Sequence, residues 1–222
     1  MRFENTDVWG FKGALRGMRN PKNSWDRSDT VFEPNLVIGE NDMKLAMSLI
    51  RAGSEHRKFL RQIFVSVDIT APLYWWKEFD TYKVGTVANS TSTMHKLATT
   101  PITRECFELD DYCDNLQIMD EFSVNFGVNT HIALCEDLRQ MYLKTGDKRF
   151  WKELIRWLPE SWLQTRTVTM NYENLLTICK QRLHHKLNEW SGADDSSKPN
   201  FISWVKTLPY AKQFIFMEEE TE

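Results

Sequence analysis

Two polar residues in an apolar stretch, Asn171 and Arg182, are the first candidates for chemistry. The stretch from Val168 to Trp190 is predicted to be one long helix with its apolar residues on one stripe. Eleven residues separate the pair, which is about 1,100° of helical rotation, so they share a face and lie about 16 Å apart along it. Because unpaired buried polar groups are costly, each needs a partner. The pattern alone favours a neighbouring backbone or carboxylate group as that partner.

Histidines and cysteines give less specific indications. His56 follows a predicted helix end, where a lone histidine is more often a surface or capping residue than a ligand-binding one. His184 and His185 are adjacent, so they point to different helix faces. The cysteines are Cys106, Cys113, Cys135 and Cys179. They form no close pair of the kind that zinc sites use, so reduced structural thiols and no metal site are predicted.

The composition is that of an ordinary globular protein. With 222 residues, 41% of them hydrophobic and 27% charged, a single domain spanning residues 1–222 is predicted. The net charge of −3 argues against a nucleic-acid polymer as partner, since binding a phosphate backbone needs a basic excess. No apolar run approaches the roughly 20 residues that a membrane helix needs. We therefore expect a cytoplasmic protein that binds no membrane.

The candidate residues must be positioned by strands and helices that the sequence also indicates. The segment QIFVSVDIT alternates, which predicts a strand with one apolar face. That face carries Ile63, Val65, Val67 and Ile69. Before it, GENDMKLAMSLIRAG has helical spacing, with Asn41 or Asp42 as the predicted cap and Gly53 as the end.

Further elements follow from proline, glycine and apolar spacing. Pro72 can open a helix that continues to about Tyr82, after which Gly85 and a run of hydroxyl residues predict a loop. Other helices are predicted within residues 113–145, in DKRFWKELIRWLP and near residues 201–208. Residues 1–37 are predicted to be an irregular lead-in, and residues 211–222 an acidic tail. One strong strand among many helices predicts the α+β class.

These segments occur in an order that a known family shares. His56 stands ahead of FLRQIFVSVDITAP, and the Pro-led APLYWWKEFD runs into TYKVGTVANSTSTM. Leu158-Pro159 then precedes Asn171, which precedes Arg182. This order and spacing resemble the flavin-dependent thymidylate synthases, whose loop has the form R-H-R-x-x-S-x-N-E-x-S-x-R-Y. The resemblance covers roughly residues 40–210.

The chain also departs from the family pattern. In the loop, Thr81-Tyr82-Lys83 stand for R-H-R, Ala88-Asn89 for N-E, Thr91 for a Ser, and Thr93-Met94 for R-Y. Glu78 stands where the family has a Gln on the phosphate side. Thr165 aligns with an Arg that faces the nucleotide in the family, and Arg166 is the next residue. A charge-assisted hydrogen bond contributes about 1.5–3 kcal/mol, so losing two or three would weaken phosphate binding by about 10²–10⁶-fold.

The resemblance implies a fold, an assembly and a set of ligands. The family fold has a central, mostly antiparallel sheet flanked by long helices. The family assembles as a homotetramer with flavin bound where subunits meet, so a lone protomer is expected to expose the aromatic side chains of residues 74–82. The implied cofactor is FAD, with NADPH and methylenetetrahydrofolate as co-substrates. The implied substrate is a pyrimidine deoxynucleotide such as deoxyuridine monophosphate.

The resemblance also assigns roles to individual residues. His56, Lys83 and Asn171 would bind the cofactor, with Lys83 retaining part of the phosphate binding. Thr91, Arg166 and Arg182 would bind the substrate, and Arg182 would be the catalytic residue in contact with the pyrimidine.

Three hypotheses follow. The chain is a divergent flavin-dependent enzyme, or a catalytically silent relative that binds a nucleotide or flavin or assembles with partners. In the third, Asn171, Arg182 and His56 only satisfy neighbouring groups in the core.

Overall fold

The computed structural model describes residues 1–93, 97–109, 116–119, 122–193 and 195–218. Two compact units divide the chain. The first unit comprises Met1, Thr70–Thr81 and Asn89–Arg166, and the second comprises Arg2–Ile69, Tyr82–Ala88 and Thr167–Glu222. The single domain over residues 1–222 stays a prediction.

The strands and helices have the following bounds. The strands are β1 (Arg2–Trp9), β2 (Phe64–Pro72), β3 (Val87–Ser90), β4 (Gln117–Met119), β5 (Phe122–Ser123) and β6 (Leu163–Asn171). The helices are α1 (Phe11–Arg19), α2 (Glu40–Arg51), α3 (Leu73–Phe79), α4 (Val124–Thr145), α5 (Lys148–Arg156), α6 (Tyr172–Arg182), α7 (Asn188–Ser191), α8 (Phe201–Lys206) and α9 (Ala211–Phe214). Helices α3, α5 and α8 correspond to predicted helices and confirm them.

Four strands form one sheet in the order β1-β2-β6-β3, and β4 pairs with β5 in a separate antiparallel pair. Side-chain hydrogen bonds give the direction of the central pair. In the second unit Thr167 donates to Asp68 across β6 and β2, and in the first unit Thr165 pairs with Thr70. Residue numbers therefore fall along one strand as they rise along the other, which is the antiparallel arrangement.

The alternation in the sequence explains β2. Ile63, Val65, Val67 and Ile69 are all completely buried, as the predicted apolar face requires. The residues between them are only half-buried. The predicted strand is confirmed, and it forms the centre of the sheet together with β6.

The predicted single helix from Val168 to Trp190 is wrong at both ends. Helix α6 ends at Arg182, and Trp190 lies in the separate short helix α7. Residues Leu163–Asn171 form strand β6, and a helix begins only at Tyr172. Val168 and Met170 are buried while Thr167 and Thr169 alternate with them, which is the period of a strand, and threonine favours strands. Asn171 therefore stands at the helix N-cap rather than on a helix face shared with Arg182.

The irregular lead-in over residues 1–37 is also wrong for its first half. Strand β1 and helix α1 occupy most of residues 2–19. The helix has apolar residues at helical spacing, and they are buried: Phe11, Ala14, Leu15 and Met18. At the other end, α9 lies where the acidic tail was predicted, and residues 219–222 of that tail lie outside the described residues.

The predicted cap of α2 is wrong as well. Gly39 is the N-cap residue, and the side chain of Asp29 accepts hydrogen bonds from the backbone N–H groups of Asn41 and Asp42. A carboxylate thus satisfies the first turn of the helix from outside it. The side chain of Asp42 is instead buried against Arg19.

The first unit contains its own apolar cluster. Leu97, Ile102, Phe107, Cys135 and Leu154 pack together, with α4 and α5 supplying the last two. The aromatic side chains of α3 are also buried in this unit: Trp75, Trp76 and Phe79 are at most 2% exposed. The expectation that a lone protomer would expose the aromatics of this stretch is therefore wrong for these three, because the protomer's own core covers them.

Across the described ranges, every helix is too short or too polar to span a bilayer.

Candidate functional site

Arg182, in the second unit, is held in one orientation by two aromatic residues. Its Nε donates to the hydroxyl of Tyr82 at 2.9 Å, and its guanidinium carbon lies 4.9 Å from the ring centre of Trp190. Tyr82 in turn donates to the side chain of Gln181. We call these four residues the Arg182 cluster. A cation–π contact of this kind fixes the plane of a half-buried guanidinium.

The helices explain why Arg182 sits there. It is in the last turn of α6, where a cation interacts favourably with the helix dipole. Trp190, on α7, is completely buried, so it provides a rigid surface for the guanidinium. Tyr82 stands at the His position of the family loop, and its hydroxyl accepts from Arg182.

Asn171 is the N-cap residue of α6. Its side chain accepts from the backbone N–H of Asn174, and the side chain of Asn174 accepts from the backbone N–H of Asn171. This is a capping box, which satisfies the first N–H groups of a helix. The prediction that protein groups would satisfy Asn171 is therefore correct for its Oδ1, whereas Nδ2 remains a donor with no hydrogen-bond partner among the described residues.

The loop after Lys83 lies against this helix start. Asn174 Nδ2 donates to the carbonyl of Val84 at 2.7 Å. Gly85 has a φ of 74°, and a Cβ there would lie 3.0 Å from Asn174 Oδ1 and 3.3 Å from Asn171 Nδ2. Only glycine adopts this backbone without strain and fits this space. The close approach holds the loop at Val84 and Gly85 against the start of α6.

Two side chains of this loop have unused hydrogen-bonding capacity. Lys83 is exposed, and within the described ranges its ammonium makes no hydrogen bond or ion pair. The hydroxyl of Thr86 is buried and has no partner among the described residues. The loop therefore offers one cation and one hydroxyl for a ligand, where the family loop has several arginines.

His56 is placed on an exposed turn in the second unit. The next residue, Arg57, forms a bidentate pair with Glu173 in the first turn of α6, at 2.9–3.1 Å. Both side chains of this pair are 14% exposed. The sequence reasoning missed Arg57, although it is the residue that ties this turn to the helix carrying Asn171.

Arg166, in the first unit, is fully engaged by neighbours. Its Nη1 donates to Asp80 at 2.7 Å, its Nε donates to Gln164 at 3.0 Å, and its guanidinium carbon lies 4.2 Å from the ring centre of Trp76. The side chain of Arg166 is 15% exposed. We call these four residues the Arg166 cluster. A phosphate would have to compete with Asp80 for this guanidinium.

Thr165 and Thr91 also lie in the first unit. The Thr165 hydroxyl pairs with that of Thr70 at 2.7 Å, so Thr165 is occupied within the sheet. Thr91 is exposed, and its backbone N–H donates to the carbonyl of Thr165. Its carbonyl accepts from Gln164, which links Thr91 to the Arg166 cluster. The structure thus brings together the predicted substrate residues Thr91 and Arg166.

Burial explains the chemistry of the cysteines. It raises the pKa of Cys135 to about 11 and that of Cys179 to about 12. These thiols stay protonated near neutral pH and are poor nucleophiles and metal ligands. Cys113 lies outside the described residues. Within the described ranges, His, Cys, Asp and Glu side chains form no group of three that could hold a metal ion.

No family model matches the chain, and no curated protein matches it. Solved structures do match. The flavin-dependent thymidylate synthase ThyX from Helicobacter pylori, complexed with FAD and dUMP, aligns with a TM-score of 0.66 at 16% identity, over 97% of this chain and 98% of that chain. A second Helicobacter pylori structure of this enzyme, with FAD and dUMP, aligns with a TM-score of 0.64 at 16% identity, over 95% of this chain and 94% of that chain. The UMP/dUMP methylase PolB from Streptomyces cacaoi, bound with 5-Br dUMP, aligns with a TM-score of 0.64 at 13% identity, over 97% of this chain and 93% of that chain.

These likenesses establish the fold. The chain has the α+β fold of flavin-dependent thymidylate synthases over nearly its whole length. The predicted fold class and the predicted resemblance are both confirmed at this level. The roles assigned to His56, Lys83, Thr91, Arg166, Asn171 and Arg182 stay predictions.

Proposed function

We propose that this chain is a flavin-dependent enzyme that modifies a pyrimidine deoxynucleotide, by FAD-assisted reductive methylation of deoxyuridine monophosphate or a related reaction. One observation carries the proposal. The fold is shared over 95–97% of the chain with solved structures that contain both FAD and dUMP. Fold alone does not define function, so the side chains must also be compatible with these ligands.

The second unit offers groups that fit a flavin nucleotide. The Lys83 ammonium can bind a diphosphate, the Asn171 Nδ2 can donate to a flavin carbonyl, and the buried Thr86 hydroxyl can accept or donate one hydrogen bond. His56, on an exposed turn, is the third proposed cofactor residue. Bound FAD, once reduced, would supply hydride, with NADPH and methylenetetrahydrofolate as the proposed co-substrates.

Arg182 is the proposed residue for the nucleotide base. Its guanidinium is held by Tyr82 and Trp190, so little side-chain entropy would be lost when it donates to pyrimidine oxygens. A positioned cation also stabilises negative charge that develops on the ring. Thr91 and Arg166 are the proposed contacts to the remainder of the nucleotide.

A second candidate function is a catalytically silent relative that binds a nucleotide or flavin or acts as an assembly protein. The Arg166 cluster favours it, because Asp80 already neutralises the guanidinium that would bind phosphate. Thr81, at the first Arg position of the family loop, donates its hydroxyl to the carbonyl of Glu78 and brings no charge. A site with fewer phosphate-binding cations could retain a ligand without turning it over.

Flavin binding is the first test. Purified protein should be yellow, or added FAD should lose fluorescence on binding and raise the melting temperature, because a ligand of the native state stabilises it by mass action. A colourless protein that neither quenches FAD nor gains stability would contradict the flavin-dependent enzyme and the flavin-binding form of the silent relative.

Turnover then separates the two. The flavin-loaded protein is incubated with deoxyuridine monophosphate, methylenetetrahydrofolate and NADPH, and the nucleotide is analysed by mass spectrometry. A methylated nucleotide supports the enzyme, whereas bound flavin without product supports the silent relative or a different substrate. We also propose that the chain forms a homotetramer in the cytoplasm.

A further inference from the structure

A polar cavity of about 670 Å³ lies in the second unit, after the end of α1. It is lined by Arg19, Lys22, Asn23, Ser24, Asp26, Arg27, Asn41 and Leu45. Three of these side chains are cationic and one is anionic. None of them belongs to the residues proposed above for flavin or nucleotide.

Arg19 is the buried wall of this cavity. Its side chain is 4% exposed, its Nε donates to Asp42 at 2.6 Å, and its Nη1 donates to the carbonyl of Ser24 at 3.1 Å. Nη2 is buried and has no hydrogen-bond partner among the described residues. An unsatisfied buried donor is costly, and a ligand in the adjoining cavity could satisfy it.

Arg19 is kept rigid by its carboxylate partner. Burial raises the pKa of Asp42, but hydrogen bonds from Thr30, Ser28 and Arg19 outweigh burial and lower that pKa below its usual range. Asp42 is therefore charged, and it holds the guanidinium while leaving Nη2 unpaired. The carboxylate therefore holds Arg19, a residue that lines the cavity, in one orientation.

Lys22 and Arg27 supply two more cations at the rim. Both are exposed, and in the part of the chain that the structure describes neither side chain makes a hydrogen bond or ion pair. Against them the cavity has the single carboxylate of Asp26. The lining therefore carries a net positive charge even though the whole chain is acidic.

Some of the backbone carbonyls at the end of α1 already accept hydrogen bonds within the chain. The end of α1 would place partial negative charge near an anion, but Asn23 N–H and Ser24 N–H donate to the carbonyls of Asn20 and Arg19. Asn23 has a φ of 46°, which turns the chain so that residues 22–27 surround the cavity. The positive charges of the cavity lining thus outweigh the partial negative charge at the end of α1.

We propose that this cavity binds a small phosphate-bearing anion through Arg19, Lys22 and Arg27. Arginine matches phosphate geometry with paired N–H donors, and lysine adds a point charge. The volume exceeds what a single carboxylate needs and accommodates a phosphate ester. This site is independent of the proposed flavin and nucleotide residues.

The test measures binding of inorganic phosphate and ribose 5-phosphate by calorimetry and melting temperature, in a phosphate-free buffer with sodium chloride matching the ionic strength. Lys22→Gln combined with Arg27→Gln leaves the buried Arg19–Asp42 pair intact, so folding should survive. The double variant should bind about tenfold more weakly or worse, as expected from losing two charge-assisted contacts. Stronger binding of ribose 5-phosphate than of inorganic phosphate would show that the natural ligand is a phosphate ester rather than free phosphate.

Two controls make the result decisive. Lys58→Gln removes an exposed cation elsewhere in the second unit and should leave binding unchanged. Lys83→Gln removes the cation of the proposed flavin site and should also leave it unchanged. Saturable binding lost only in the Lys22/Arg27 variant supports the cavity. The proposal would be overturned if that variant bound phosphate with the affinity of the native chain, or if binding were lost in Lys83→Gln instead. Absence of saturable binding to the native chain would also overturn it.

Discussion

Arg182 illustrates how neighbouring aromatic residues hold a single side chain. It donates to Tyr82 and lies over Trp190, and these contacts fix the orientation of the guanidinium. By contrast, Arg166 is paired with Asp80, and its charge is compensated within the protein. These contacts of the two arginines therefore differ, with aromatic neighbours at Arg182 and a carboxylate partner at Arg166.

Arg182→Ala is expected to remove the proposed base contact. The dissociation constant for deoxyuridine monophosphate should rise by about tenfold or more, since a charge-assisted hydrogen bond is lost. Calorimetric titration measures it, and melting temperature reports on the fold. Lys180→Ala is the matched control, because Lys180 is an exposed cation of the same helix. Unchanged affinity in Arg182→Ala would remove Arg182 from the site.

Asp80→Asn tests whether Arg166 is a latent phosphate contact. Removing the carboxylate leaves the guanidinium stacked on Trp76 but uncompensated. We expect affinity for the nucleotide to rise a few-fold, because an exposed ion pair is worth up to about 1 kcal/mol. Asp137→Asn, an exposed aspartate of the same unit, should have no effect. A decrease or no change in Asp80→Asn would argue against Arg166 as a substrate residue.

At the scale of elements, the start of α6 joins structure to the proposed site. The capping box of Asn171 and Asn174 ends strand β6, begins the helix and anchors the loop at Val84. Because Oδ1 caps the helix and Nδ2 is the proposed flavin donor, we expect a change at Asn171 to affect stability and flavin binding through different atoms of one side chain.

Asn171→Ala should destabilise the protein by about 1 kcal/mol, the usual effect of losing an N-cap. Asn171→Ser keeps a capping oxygen but lacks the Nδ2 donor, so it should restore stability without restoring flavin affinity. Denaturant unfolding and FAD titration measure the two effects. Full FAD affinity in Asn171→Ser would show that the amide does not contact flavin.

Helix α4 carries a carboxylate that connects it to the preceding loop. Glu136 accepts from Arg139, from Gln140 and from the backbone N–H of Ile102. These hydrogen bonds, with that of Arg139 the largest, lower the pKa of Glu136 to about 2. Arg139 also donates to the carbonyl of Ala98, so the pair fastens residues 98–102 to the helix.

The pH dependence of stability should follow from this pKa. Because the folded pKa is lowered, Glu136 stabilises the native state above its ordinary pKa, and this contribution is lost as pH falls from about 5 to about 2. Glu136→Gln should lower the melting temperature most above pH 5, with the difference shrinking in acid. Glu160→Gln, an exposed glutamate of the same unit, is the control. A pH-independent difference would contradict the assigned cause.

At the scale of the whole molecule, the first unit has an apolar surface that its own core does not cover. Phe126, Leu134 and Met141 are 58%, 39% and 38% exposed, and their spacing places them on one face of α4. A row of large exposed apolar side chains is typical of a protein interface. We propose that copies of the chain meet at this surface rather than at the buried aromatics of α3.

We expect the native chain to be a homotetramer by light scattering coupled to gel filtration. Combining Phe126→Glu with Leu134→Glu places charges on that face and should reduce the mass of the particle. Leu143→Glu is the control, because Leu143 is similarly exposed on another face of α4. A monomeric native chain, or a tetramer that tolerates the double substitution, would contradict the predicted interface.

The sequence by itself determined those elements whose pattern is local. Alternation fixed β2 and its buried face, Pro72 placed α3, and the order of motifs indicated the fold. Local pattern failed at Val168–Asn171, where four residues of a strand precede a helix without a turn. The Asn-x-x-Asn spacing of a capping box was the signal that could have corrected it.

Only the tertiary structure decided which charges remain available. Tyr82 and Arg182 are 100 residues apart, and Asp80 and Arg166 are 86 apart, so no local period relates them. The unpaired nitrogen of Arg19 likewise depends on how Asp42 and Ser24 fold around it. Periodicity records which face of an element is buried, whereas the partner of a polar side chain depends on contacts that form only when distant segments pack.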